Sequence, residues 1–258
     1  MKRNPTKLIV ALFVLAAPQF ILGQTNHKPK GNVHIDEDPI PKLTFLYPAP
    51  FGTVFDRTCS QFLNTEIKPE WQQETVRRLP EFQAQWDREG PRYLSVTFAE
   101  IGLRFPYREM QAVLTVCPVS TMSMPLMINV GSFLSTAQNP ARPEFFSEVV
   151  FHELMHHYVS PVFVISALRK KYEKEPSVTL YHLHVMALEK FALLKLRKTT
   201  ELKYLDYLYR TDPPPSYYKR AWEIVNNIEG YEAFIKELKS VGSNQRVKRR
   251  VLSDLYRT

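Results

Sequence analysis

The chain has 258 residues, of which 44% are hydrophobic, 23% charged and 12% aromatic. This composition excludes a wholly disordered chain, a collagen-like repeat and a multi-span membrane protein. Only 8 glycines stand against 20 prolines, which argues against a glycine-rich nucleotide-binding architecture, and the formal net charge is +8.

Lys2, Arg3 and Lys7 precede an apolar run from Leu8 to Leu22, interrupted by Pro18 and Gln19 and followed by the small residue Gly23. This is the pattern of a secretory signal peptide over residues 1–23, and the run is short for a membrane span. Its removal leaves 31 basic residues against 26 acidic ones, a net charge of +5. The expected location is secreted or periplasmic, with no stable membrane insertion after cleavage. Residues 24–45 are polar and carry three prolines, and they read as a flexible leader. One folded domain is expected over 46–258.

Within that domain, Trp71, Val76, Leu79, Phe82 and Trp86 have helical spacing, which predicts a helix over 70–89 with Pro80 as a break. The alternation at Leu94, Val96 and Phe98 predicts a strand, as do the runs Val113–Val119 and Pro125–Val130. From Pro143 onward the pattern is helical. Helices are expected over 143–159, 178–197 and 201–209, and again over 217–239 with a break at Gly230. Pro213, Pro214 and Pro215 force an extended connection between the last two. The fold class is therefore α+β, a small N-terminal mixed sheet followed by a helical C-terminal half.

Cys59 and Cys117 are the two cysteines, and in an oxidising compartment they either pair or remain buried thiols. Arg246, Lys248, Arg249 and Arg250 form a basic cluster, but no recognition motif accompanies it and no nucleic-acid partner is expected.

His152-Glu153-Leu154-Met155-His156 is an H-E-x-x-H motif on a predicted helix. Residues four apart lie on one face a turn apart, so two imidazoles can bind one zinc ion from the same side. Glu153 is offset on the helix and reaches a water rather than the metal. With 7 histidines in 258 residues, this spacing arises by chance about 0.01 times per chain, so the motif outweighs a coincidence of helix residues. His157 points away from the His152–His156 face.

A catalytic site needs one more protein ligand. Val159 and Val162 occupy the positions where the metzincin pattern needs glycine and histidine. Glu189 is the leading choice, because a carboxylate among Val185, Met186, Leu188 and Leu193 is costly unless it meets a cation. His182, seven residues earlier on the same face, either replaces Glu189 as ligand or steadies charge on the reacting substrate. Glu175 sits among lysines and reads as solvated. Tyr158, Tyr181 and Tyr231 are further hydroxyl donors.

The motif with the later Glu189 resembles the gluzincin branch of zinc metallopeptidases, over about 65 residues from Leu126 to Lys190. The resemblance implies a zincin-like fold with an edge strand, matched by Leu126–Val130, above the cleft. It implies zinc held by His152, His156 and Glu189, with Glu153 as base and His182 as its aid, acting on a peptide or protein substrate. The alternatives are a zincin-like binder without turnover and a zinc hydrolase of a non-peptide amide.

Overall fold

The structure, a computed structural model, describes residues 40–255 apart from 48–50, 138 and 215. The expected signal peptide and residues 24–39 of the expected leader lie outside the described residues. Regular structure begins inside the remainder of that leader. Strand β1 (Lys42–Leu46) turns Leu43 and Phe45 inward, and both are buried.

β1 pairs in parallel with β2 (Glu109–Thr115), with Phe45 opposite Ala112. β2 pairs in parallel with β3 (Met127–Asn129), with Leu114 opposite Ile128. The sheet is thus parallel rather than mixed. Parallel neighbours need a long crossover, and helices α1 (Phe51–Leu63) and α2 (Pro69–Ile101) supply it between β1 and β2. Among the described residues, the antiparallel component is a single bridge between Met122 and Met127. The open edge of β1 is satisfied by a side chain. Gln83 of α2 donates from Nε2 to the Leu43 carbonyl at 3.0 Å, and the Phe45 amide donates to Gln83 Oε1 at 2.9 Å.

The strand expected at Tyr93–Phe98 is helix. α2 runs unbroken through Pro80 and Pro91 and buries Tyr93, Leu94, Thr97, Phe98 and Ile101 on one face. That spacing has the helical period, and it overrides the local alternation. Pro80 lies on the exposed face, where water meets the carbonyl left without its helix partner. Gly102 ends α2 at φ 75, a left-handed cap whose amide donates to the Phe98 carbonyl at 2.9 Å.

The helical half follows as expected in outline: α3 (Glu144–Val159), α4 (Ala167–Lys171), α5 (Ser177–Lys195), α6 (Thr199–Arg210), α7 (Tyr217–Glu223) and α8 (Tyr231–Leu255). A π-helical turn, Ile224–Ile228, extends α7 up to the break at Gly230. Thirteen of the 16 residues of α3 and 13 of the 19 of α5 are buried, so these two helices form the middle of the core. α5 packs against α2, α3, α6, α7 and α8. Rings join α3 to the sheet side: Phe146 meets Phe82 at 4.8 Å and Phe45 at 5.2 Å between centroids.

Cys59 of α1 and Cys117, just beyond β2, form a disulfide across 58 residues with Cα atoms 6.0 Å apart. A closed loop of that length removes about 4 kcal/mol of chain entropy from the unfolded state. Among the described residues, no helix is long and apolar enough to cross a membrane.

Candidate metal centre

α3 carries His152, Glu153 and His156 at the centre of the core, held by the buried Val150, Phe151, Leu154 and Met155 around them. The motif spacing has the expected geometric result. The Nε2 atoms of His152 and His156 face each other at 3.2 Å. His182 comes from α5, its ring centroid 5.2 Å from His152 and 4.8 Å from His156. One ligand atom from each of the three rings lies within 4.8 Å of the others, close enough to hold a metal ion.

Each ring has a reason for its orientation. His182 Nδ1 lies 2.6 Å from the Val178 carbonyl, which can only accept, so Nδ1 carries the proton and Nε2 keeps its lone pair. His152 Nδ1 lies 3.0 Å from Glu189 Oε1, and the Tyr209 hydroxyl donates to Glu189 Oε2 at 2.8 Å. The sequence expectation puts Glu189 at the metal. In the structure its carboxylate lies against Nδ1 of His152, the ring edge away from His156, and Glu189 stands outside the group of three converging donors. Its burial among apolar residues is compensated by His152 and Tyr209.

The other sequence candidates lie elsewhere. Glu175 pairs with Arg220 at 2.7 Å. Buried Tyr158 donates to the Leu103 carbonyl at 3.2 Å, Tyr181 lies tilted against Phe163 and beneath Arg169, and Tyr231 lies under Lys190. His157 meets the Ser123 carbonyl at 2.7 Å. Tyr209 and Tyr218, on either side of the proline run, instead reach the centre. The Tyr218 ring sits 4.4 Å from that of His182.

The electrostatics suit a metal. Burial, with the charges of His152, His182 and His157, pushes His156 down to about 2. Burial and His152 push His182 down to about 3 against the pull of the Val178 carbonyl. Burial alone would lower His152 too, but Glu189, by charge and hydrogen bond, and Glu153 outweigh it and raise this ring to about 9. Two neutral imidazoles present lone pairs, and the third, held protonated by Glu189, gives up a proton when a cation binds.

The centre opens on a cavity of about 710 Å³ lined by Glu148, His152, Glu153, Glu189, Tyr209 and Tyr218 among others. Glu153 is 6% exposed, and burial raises its carboxyl, Glu189 adding to the rise and His152 opposing it. Burial also raises the Tyr218 hydroxyl to about 12, with help from Glu153 and Asp212. Ser132, Phe133, Asn139, Pro140 and Ala141 form part of the cavity wall, and α2 holds the neighbouring residues. Glu74 accepts from the Ser135 amide at 2.6 Å and the Thr136 hydroxyl at 2.9 Å, and Arg78 donates to the Phe133 carbonyl at 2.6 Å. The strand expected above the cleft is β3. Its outer edge is paired at Met127 with Met122, so the segment containing Val119, Ser120 and Thr121 forms the neighbouring wall.

No protein-family model, no curated protein and no solved structure matches this chain.

Proposed function

We propose that the chain is a zinc-dependent peptidase exported from the cytoplasm, with His152, His156 and His182 as the metal ligands. The observation that carries this reading is the convergence of three imidazole donors within 4.8 Å, with Glu153 beside them on the wall of a cavity. Bound zinc would supply Lewis-acid polarisation of water and of the scissile carbonyl.

The chain's own groups supply the rest. Glu153 takes the proton of the attacking water and returns it to the departing amine, and its raised pKa favours that second step. Tyr218 keeps its proton at neutral pH and donates to the oxygen that gains charge. Glu189 accepts from His152 Nδ1, so that Nε2 faces the cation as a lone pair, and Tyr209 holds Glu189 in turn. This set departs from the gluzincin pattern of two histidines and a glutamate, because the third donor is an imidazole 26 residues after the motif.

Export is supported by the N-terminal pattern and by the Cys59–Cys117 bond, which forms in oxidising compartments. An intact Glu153 favours turnover over a metal-binding scaffold, which has no use for that base. The test is cleavage of a mixed peptide library by the purified protein. Activity lost to a chelator and restored by zinc supports the proposal, and no cleavage by zinc-loaded protein overturns it.

A further inference from the structure

Glu148 has no part in the chemistry above, yet it is buried on the same cavity. It precedes His152 by one turn on α3, is 7% exposed, and lines the cavity. One of its oxygens receives the Tyr93 hydroxyl at 3.3 Å, and among the described residues its other oxygen has no hydrogen-bond partner. Among the described residues no lysine or arginine lines the cavity, whereas Glu148, Glu153, Glu189 and Asp212 do, in a chain of net charge +8. Lys198, over the ring of Tyr93, is engaged with Glu89 at 3.3 Å and Glu201 at 3.1 Å. Burial, with the charges of Glu201 and Glu189, holds the Glu148 carboxyl up at about 8 against the opposing pull of Lys198 and the Tyr93 hydroxyl.

The surroundings fit a long cationic side chain. Phe145 stacks on Tyr204 at 4.0 Å between centroids, and Val149 and Leu205 join them along the wall, so an aliphatic stem has apolar contacts on its way to the carboxylate. A planar guanidinium satisfies a carboxylate with two parallel hydrogen bonds and stacks on an aromatic ring.

We propose that Glu148 is the specificity-determining residue of a substrate pocket for a basic side chain, arginine above all, beside the reacting centre. This rests on the reading of the cavity as a peptidase site. When the pocket is filled, the substrate's cation pairs with the Glu148 carboxylate, and neutral isosteres leave that carboxylate with the Tyr93 hydroxyl and no cation.

The experiment uses the full chain and two probes, Nα-acetyl-arginine amide and its neutral isostere Nα-acetyl-citrulline amide, with binding measured by calorimetry. The wild-type protein should prefer the arginine probe at least tenfold. Glu148→Gln should reduce that preference to within about twofold, and Leu208→Lys, which adds a cation at an exposed position of the cavity wall, should also reduce it without touching Glu148. Leu208→Lys keeps the test open if the Glu148 variant fails to fold. Equal binding of both probes by wild type, or an unchanged preference in folded Glu148→Gln, overturns the proposal. Binding is read whether or not any peptide is cut. A preference without cleavage leaves the pocket standing and removes the peptidase reading, and cleavage without a preference does the reverse.

Discussion

Glu189→Gln separates the residue that orients a ligand from a ligand itself. The glutamine keeps the volume of a side chain that is 4% exposed, and its carbonyl oxygen still accepts from His152 Nδ1 across a 3.0 Å contact. The Tyr209 hydroxyl, 2.8 Å from Oε2, can accept from the new amide, although its own proton loses the carboxylate as acceptor. What disappears is the negative charge behind His152. Loss of such an outer partner weakens metal binding about 10–100-fold, or about 1.4–2.8 kcal/mol. His182→Ala removes a donor outright and should weaken binding far more. Zinc affinities from competition with a chromophoric chelator read both. Glu189→Gln binding as poorly as His182→Ala, or His182→Ala binding as tightly as wild type, would refute this division of roles.

Tyr218→Phe should lower kcat about 100-fold while zinc content stays unchanged, because it removes a donor to the developing charge and no ligand; equal kcat would remove Tyr218 from the mechanism. Glu74 ties α2 to the cavity wall, and although its burial opposes ionisation, the Ser135 amide, the Thr136 hydroxyl and Arg78 hold its carboxyl down at about 2, against an ordinary 4.5. Its folded pKa is depressed, so this contribution of about 3 kcal/mol is present above pH 4.5 and fades as pH falls towards 2. Glu74→Gln should therefore flatten the acid limb of stability against pH, measured by urea unfolding, and an unchanged limb would contradict the linkage. Replacing Cys59 and Cys117 together by serine should cost about 4 kcal/mol in the same assay; an unchanged midpoint would show that the bond contributes nothing.

The motif was legible because its geometry is local. Four residues of helix set His152 against His156 whatever the rest of the chain does. The third histidine of the cluster was not. His182 and Glu189 share a face of α5 seven residues apart, and which one reaches the centre depends on how far α5 is shifted along α3, a tertiary quantity with no local signal. The apolar company of Glu189 correctly marked it as a buried charge needing a partner, but that partner is an imidazole N–H. Tyr209 and Tyr218 arrive from either side of the proline run, and nothing in the spacing of those tyrosines ties them to α3. Glu148 carried a signal that could have been used: it stands one turn before His152, on the same face. The order of elements after Pro143 followed from apolar period and punctuation. Before it, Pro80 and the alternation at 94–98 masked a single long helix, whose buried face is visible only when 93, 94, 97, 98 and 101 are taken together.

In the proposed mechanism a zinc ion on three histidines works with Glu153 to cleave peptides. The most direct measurement pairs metal analysis with cleavage of a peptide library for the wild-type chain and Glu153→Gln. One zinc per chain in both, with cleavage by wild type alone, is the expected result. Loss of zinc from Glu153→Gln would mean that Glu153 is a ligand rather than the base, and cleavage at the wild-type rate by that variant would contradict the mechanism.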